Sequence, residues 1–512
     1  MESLEWVKWL AFFGYVAVTF YLAWLGNKKT SSLDSYALGN QDMQPWVVAF
    51  ALAATMTSTA TFVINPGFVY AYGVSALFGF GLAAGAGLFS GIIILSKGFR
   101  KYGSKSNALT VPQWIGQRYN SQSLTIIYAL MNMVMIAMVV LIAYGSAILI
   151  DTTLNLSSIF PTYHFEISLG FIILFVFAYT FYGGTYAHVY TNTVQGFMMI
   201  AVAILLVGSG FHLFDGQLWS SLRAQDPNLL NPINPNSALF RNFFEVFVAN
   251  FCIGFALTAQ PHFLIKSLYV KTDAEVNKYL LYTIIIGMLY LGVMLVGLYA
   301  RVIFGDAYVG SIDVVTSKYI MQSFHPVITS LVSIALLAAG MSTLDGILVA
   351  LTAIFSNDLY LNLRQSALAS ISREEKLKLA LKVSQITLVV LGFLAFYLGY
   401  KHYHSANKLS IAIYAQTWIY GFCAVSVYPL LCGMFDFKVR TFSVFLSAFV
   451  SAAIHFSLKF YPSLSFMTND PSLRFQGDFI NPGLTAGVGI IAGLCILLID
   501  RFLIPSKRSG MK

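Results

Sequence analysis

"ALAATMTSTATFVINPGF", residues 51–68, is an apolar stretch that a plain continuous helix explains poorly. Threonines and a serine crowd its centre, and Asn65-Pro66 lies near its end. A second stretch, "FCIGFALTAQPHFL", residues 251–264, has the same character: small and polar residues inside an apolar run, interrupted at Pro261. Proline and glycine are common in membrane helices, because neighbouring helices re-satisfy the backbone they free, so one such stretch means little. Two of them five helices apart, in corresponding places of two halves, point to an inverted-repeat transporter whose binding site lies at the breaks. Unwound backbone there exposes carbonyl oxygens at membrane depth, which suit a hard cation such as sodium.

The rest of the chain supports a membrane setting. Of 512 residues, 58% are hydrophobic and 10% charged, where soluble domains carry about 25% charged residues; mean hydropathy is +0.73. A spanning helix needs about 20 apolar residues. That length predicts thirteen helices, α1 to α13, at 5–26, 44–73, 75–98, 124–151, 165–182, 187–211, 242–264, 278–303, 326–357, 378–400, 408–433, 439–460 and 481–504. The runs are continuous, without the alternation of a β-barrel. The first has no basic leader or small-residue cleavage site and reads as a retained span, not a signal peptide.

Lys and Arg concentrate in the loops on one side and at the C-terminus, among them Lys28, Lys29, Lys101, Lys105, Lys266, Lys271, Arg373, Lys438, Lys507, Arg508 and Lys512. The bias places the N-terminus outside and the C-terminus in the cytoplasm. The net charge of +9 follows from this sorting and does not indicate nucleic acid. Cys252, Cys423, Cys432 and Cys495 all fall in apolar runs and read as free thiols. The longest loop, containing "QDPNLLNPINPNS" (225–237), is then external. The chain reads as one domain, 1–512: α1 as an addition at 5–26, a first repeat at 44–211, a second at 242–433, and two further helices at 439–504.

In "AAGMSTLDGILVALTAIFSNDLY", residues 338–360, Ala339, Ser342, Thr343 and Gly346 follow the 3–4 spacing of one helix face. Their hydroxyls offer oxygen lone pairs. They also bond readily to carbonyls one turn back, which is the ordinary reading of such a pair. Asp345 is harder to set aside. An acid at the centre of a membrane helix costs roughly 2.5–3.5 kcal/mol and marks a functional site by default, the alternatives being a paired structural acid or a protonated one.

Six fragments then carry a resemblance: "LDSYALGNQDMQPW" (33–46), "PGFVYAYG" (66–73), "LTVPQWIGQRY" (109–119), "YGGTYAHVYTNTVQGFMM" (182–199), "AQPHFL" (259–264) and "MSTLDGILVALTAIFSNDLY" (341–360). Together and in this order they resemble the sodium:solute symporter family of sodium–proline, sodium–pantothenate, monocarboxylate and sodium–glucose carriers. The resemblance implies an all-α LeuT-type fold of two inverted five-helix repeats with broken α2 and α7. It implies a sodium site formed by the carbonyls of Ala54, Thr57 and Ala339 and the hydroxyls of Ser342 and Thr343. Many members have Thr-Asp where this chain has Thr191-Asn192, an acid associated with a second sodium; here the acid is Asp345, so Asp345 and Asn192 form a candidate second cation site. Gln260-Pro261-His262 replaces the Asp-Gln pair of sugar carriers and resembles carriers of amino acids and organic acids. The tryptophans of the proline carriers are absent, with Ala60 and Ile253 in their places. Candidate substrate contacts are Thr61, Tyr144 and Gln260, an aromatic such as Tyr144 being equally at home in packing. His262 reads as a cap near Lys266, and His402 and His404 as loop histidines too few for a metal site.

The expected function is sodium-coupled import of a small organic acid or amino acid across the plasma (inner) membrane, with sodium as the only cofactor and no obligatory protein partner. The alternatives are a sodium–sugar symporter, or a transporter-like sensor whose output a partner protein supplies. A channel would need a repeated filter motif. An enzyme would need a convergent catalytic set, and HExxH and GxSxG are absent.

Overall fold

The computed structural model describes residues 2–28, 33–38, 43–106, 108–305, 312–405, 411–435, 437, 439–460 and 480–503. Lys29, Lys438, Lys507, Arg508 and Lys512 of the charge count, residues 408–410 at the start of the expected α11, and the last residue expected in α13, lie outside these. Among the described residues there are helices and no strands.

Among the described residues, eleven helices are long and apolar enough to span a membrane, and two bent pairs, each counted as one span, bring the spans to thirteen. The spans are α1 Trp6–Asn27, α3 Val74–Lys101, α4 Gln122–Leu154, α5 His164–Phe181, α6 Thr185–Phe214, α8 Asp273–Phe304, α9 Pro326–Leu361, α10 Arg373–Tyr403, α11 Ile411–Phe435, α12 Thr441–Phe460 and α13 Pro482–Phe502. The bent pairs are α2, Pro45–Met56 plus Ala60–Tyr72, bent by 54°, and α7, Phe244–Leu257 plus Pro261–Leu268, bent by 63°.

The two breaks have different causes. In α7 the break falls where the sequence places it. Gln260 is extended (φ −64°, ψ 135°) and Pro261 opens the second half; a residue before proline is pushed out of the helical region, and proline's fixed φ suits a first helical position. In α2 the break is at Thr57–Thr59 and not at Pro66. Thr57 ends the first half at φ −114°, ψ 87°, its hydroxyl donates back to Ala53 O, and Ser58 Oγ accepts the Ala60 N–H at 3.2 Å. The Ser58 hydroxyl thus satisfies a freed N–H, while the freed carbonyls of Ala54 and Thr55 accept from Ser342 and Thr343 of α9. Pro66 is tolerated just beyond a wide π-turn at Ala60–Ile64, an adjustment that accommodates a missing N–H.

α9 sits at the centre, buried along most of its length, whereas α1 is largely exposed. It packs on α4, α6, α1 and the first half of α2. The first half of α7 meets α3 so closely that a Cβ on Gly254 would overlap Ala84 O, and one on Gly87 would overlap Phe251 O; small residues permit this backbone approach. These contacts bring both breaks beside the middle of α9.

Candidate functional site

The first half of α2 ends against the small-residue face of α9. Ser342 Oγ lies 2.9 Å from Ala54 O and 2.7 Å from Ala339 O. Thr343 Oγ1 lies 3.0 Å from Thr55 O, 3.4 Å from Ala54 O and 3.5 Å from Ala339 O. All four expected groups, Ala54, Ala339, Ser342 and Thr343, are fully buried. Thr57, the fifth, terminates the same half-helix and lines the adjoining cavity. Carbonyls at the C-terminal end of a half-helix carry the negative end of its dipole, and with two hydroxyls they make an all-oxygen set suited to a hard monovalent cation.

Asp345, one turn further along α9, is fully buried. Its Oδ1 is 2.7 Å from His188 Nδ1. Its Oδ2 accepts from Tyr179 OH at 3.1 Å and Thr191 Oγ1 at 3.5 Å. Asn192 lies on the same side of α6 as His188, with Nδ2 3.1 Å from Ser342 O and 3.2 Å from His188 Nδ1, while its Oδ1 has no partner. The structure therefore brings Asp345 and Asn192 to one place, with the His188 ring between them.

Sequence reading missed two members of this cluster. Lys266, counted among the loop lysines, is instead fully buried in the second half of α7. Its Nζ is 2.8 Å from Thr55 Oγ1, 3.2 Å from Ala51 O and 2.7 Å from His188 Nε2. The available signals were the apolar neighbours of Lys266 in "HFLIKSL" (262–268) and the four-residue spacing from His188 to Asn192, which puts both on one helix face. His262 does not cap the helix: both ring nitrogens are buried without a hydrogen-bond partner among the described residues, and the ring lines a 20 Å³ cavity with His188, Thr110 and Tyr269.

A second cavity, of 150 Å³, opens at the α2 break between α2, α3, α7, α8 and α11. Its polar lining is Thr57, Thr61, Asn65, Thr283, Gln416 and Tyr420, facing Phe80 and Phe89. No charged side chain among the described residues lines it. Thr61 is therefore placed at this cavity. Gln260 is buried beside the α7 break with its Oε1 unpartnered and is not in the lining. Tyr144 lies apart, its ring 5.0 Å from that of Phe165 and 5.4 Å from that of His402. Ala60 is part-buried and Ile253 buried. His404 Nε2 pairs with Glu166 at 2.8 Å, and no group of three or more metal-ligating side chains forms among the described residues. Cys423 and Cys432 are buried and all four cysteines are free.

The profile of the sodium:solute symporter family matches residues 36–450. The chain is 28% identical over 380 residues to a sodium/pantothenate symporter of Haemophilus influenzae, a match covering 73% of this chain and 75% of that protein. It is 24% identical over 465 residues to a sodium/proline symporter of Staphylococcus aureus, covering 88% and 85%. Among solved structures it is similar in fold to a Na+-coupled sialic acid symporter in a substrate-bound outward-open state, with a TM-score of 0.74, 16% identity, and 98% and 99% of the two chains covered. A nucleobase-cation-symport-1 family transporter in a closed conformation matches with a TM-score of 0.51 and 13% identity.

Proposed function

The chain belongs to the sodium:solute symporter family, and from that premise we propose that it imports a small organic acid or amino acid by alternating access, driven by sodium bound between α2 and α9. As a member of this family it is a membrane transporter and not an enzyme. The observation that carries the proposed site is the convergence of Ala54 O, Ala339 O, Ser342 Oγ and Thr343 Oγ1. These groups sit on two elements, the half-helix of α2 and the straight α9. A cation held there ties the elements together, and its loss lets them part, which is the step alternating access requires.

The 150 Å³ cavity shares Thr57 with this site and supports the choice of solute. A cavity of that size holds a molecule of about six heavy atoms such as benzene, the size of a short monocarboxylate or small amino acid. Its lining is uncharged, so the negative charge of a carboxylate would be balanced by the neighbouring sodium. Two sequence relatives are described as carriers of pantothenate and proline, both of which bear a carboxylate. The charge bias of the loops supports an external N-terminus and a cytoplasmic C-terminus in the plasma membrane. The repeats at 44–211 and 242–433 would each supply one broken helix beside the site. Uptake of labelled monocarboxylates, amino acids and sugars into proteoliposomes tests this reading. Sodium-dependent uptake of a small carboxylate supports it, and saturable sodium-coupled hexose uptake with no response to carboxylates refutes the choice of solute.

A further inference from the structure

Lys266, His188 and Asp345 form one hydrogen-bonded bridge across α7, α6 and α9. Its polarity follows once Lys266 is taken as the charged ammonium. An ammonium only donates, so His188 Nε2 must accept from Lys266, which leaves the ring proton on Nδ1 to be donated to Asp345. The three protons of Lys266 match three acceptors: His188 Nε2, Thr55 Oγ1 and Ala51 O. Thr55 Oγ1 is free to accept because its own proton goes to Ala51 O at 2.6 Å. The bridge therefore reads as ammonium, neutral imidazole, carboxylate, with every donor used. Tyr179 and Thr191 complete the carboxylate; His262, Tyr269 and Tyr15 are the other titratable groups around the bridge.

We propose that Lys266 is a tethered cation occupying the role of a second coupling ion, so that this carrier binds a single sodium. The inference rests on the sodium site proposed above. Asp345 is the acid on which a second cation would depend, and the charge of Lys266 already balances it through His188. Asn192, the other member of the expected second site, is neutral, so no unbalanced acid remains in the cluster. The tether also has a place in the cycle. Lys266 holds Ala51 and Thr55 in the half-helix of α2, and Thr55 O accepts from Thr343 of the sodium site. The chain's own cation thus braces α2 against α6 and α9 next to the ion that comes and goes.

Binding of radioactive sodium to the purified full-length protein, with thermal stability in sodium against choline chloride, tests this. The wild type should bind one sodium per chain. Lys266→Met strips Asp345 of its counter-charge; it should bind two and become more strongly sodium-stabilised than the wild type. Lys266→Met with Asp345→Asn removes both charges and should return to one, with stability less dependent on sodium than in the single variant. A wild type that binds two sodium ions, or a Lys266→Met protein that binds one and gains no extra sodium stabilisation, overturns the inference. Should Lys266→Met fail to fold, the double variant decides: recovery of a folded protein binding one sodium supports the tether, and failure of the double variant as well overturns it. A wild type that binds no sodium refutes instead the sodium site on which the inference rests.

Discussion

Replacing Ser342 by Ala and Thr343 by Val removes two oxygens from the α2–α9 site while nearly preserving volume. Hydrogen bonds to charged groups contribute about 1.5–3 kcal/mol each against about 1 for neutral ones, and we take the charged value as the scale for an ion–hydroxyl contact. Ser342 Oγ already donates to Ala54 O and Ala339 O without an ion, so the ion-free state also loses bonds, and the net penalty on sodium binding is the difference. For Ser342→Ala alone that difference is about 1–2 kcal/mol, and for the pair about 3 kcal/mol. Since 1.4 kcal/mol is a factor of ten, the double variant should need about a hundredfold more sodium for half-maximal uptake. The assay is initial uptake rate against sodium concentration in proteoliposomes, with equal reconstitution verified by gel filtration and orientation. A folded double variant whose sodium dependence shifts by less than twofold would refute the site, and with it the argument that these hydroxyls do more than bond to the preceding turn.

Three further outcomes follow from the packing. A Cβ at Gly340 would overlap Thr59 Oγ1 and Ser146 Oγ, so Gly340→Val should wedge α9 away from the α2 break and abolish uptake; normal transport would show that the approach is dispensable. Arg100 donates to the carbonyls of Ser267, Val270 and Lys271 at the end of α7 as well as to Asp273, which is 91% exposed. Exposed ion pairs contribute roughly 0–1 kcal/mol, so Asp273→Asn should barely move the melting temperature while Arg100→Met lowers it by several degrees; equal effects would contradict this division. Gln416→Leu, in the lining of the 150 Å³ cavity, should raise the half-saturating solute concentration, whereas Tyr144→Phe, which keeps the ring contacts with Phe165 and His402, should change it less than twofold.

The membrane architecture was legible because it depends on quantities the sequence displays directly: the length of apolar runs and the places where they are interrupted. The α7 break could be read from Pro261, since proline acts on its immediate neighbours. The α2 break could be located only to the stretch, because its freed groups are met by the Ser58 hydroxyl and by Ser342 and Thr343 of the distant α9, while Pro66 is absorbed by a π-turn. The convergence of Ala54 with Ser342 and Thr343 was inferred from resemblance; spacing alone allowed the hydroxyls to bond to their own helix. Lys266 was counted as a loop residue because a lysine was read as ending the apolar run at Leu264, and its partners Ala51 and His188, with Asp345 beyond, come from three distant segments. His188 drew no attention for the same reason: a single histidine in an apolar helix has meaning only once the acid and the lysine flanking it in space are known.

The most direct test of the account is solute accumulation in proteoliposomes carrying the purified protein, with an inward sodium gradient set against equal sodium on both sides and against an inward proton gradient without sodium. The account predicts that a small labelled carboxylate is concentrated above its external level only under the sodium gradient, and that Ser342→Ala with Thr343→Val removes this at ordinary sodium. Accumulation driven by the proton gradient alone, or equilibration indifferent to sodium, would contradict it.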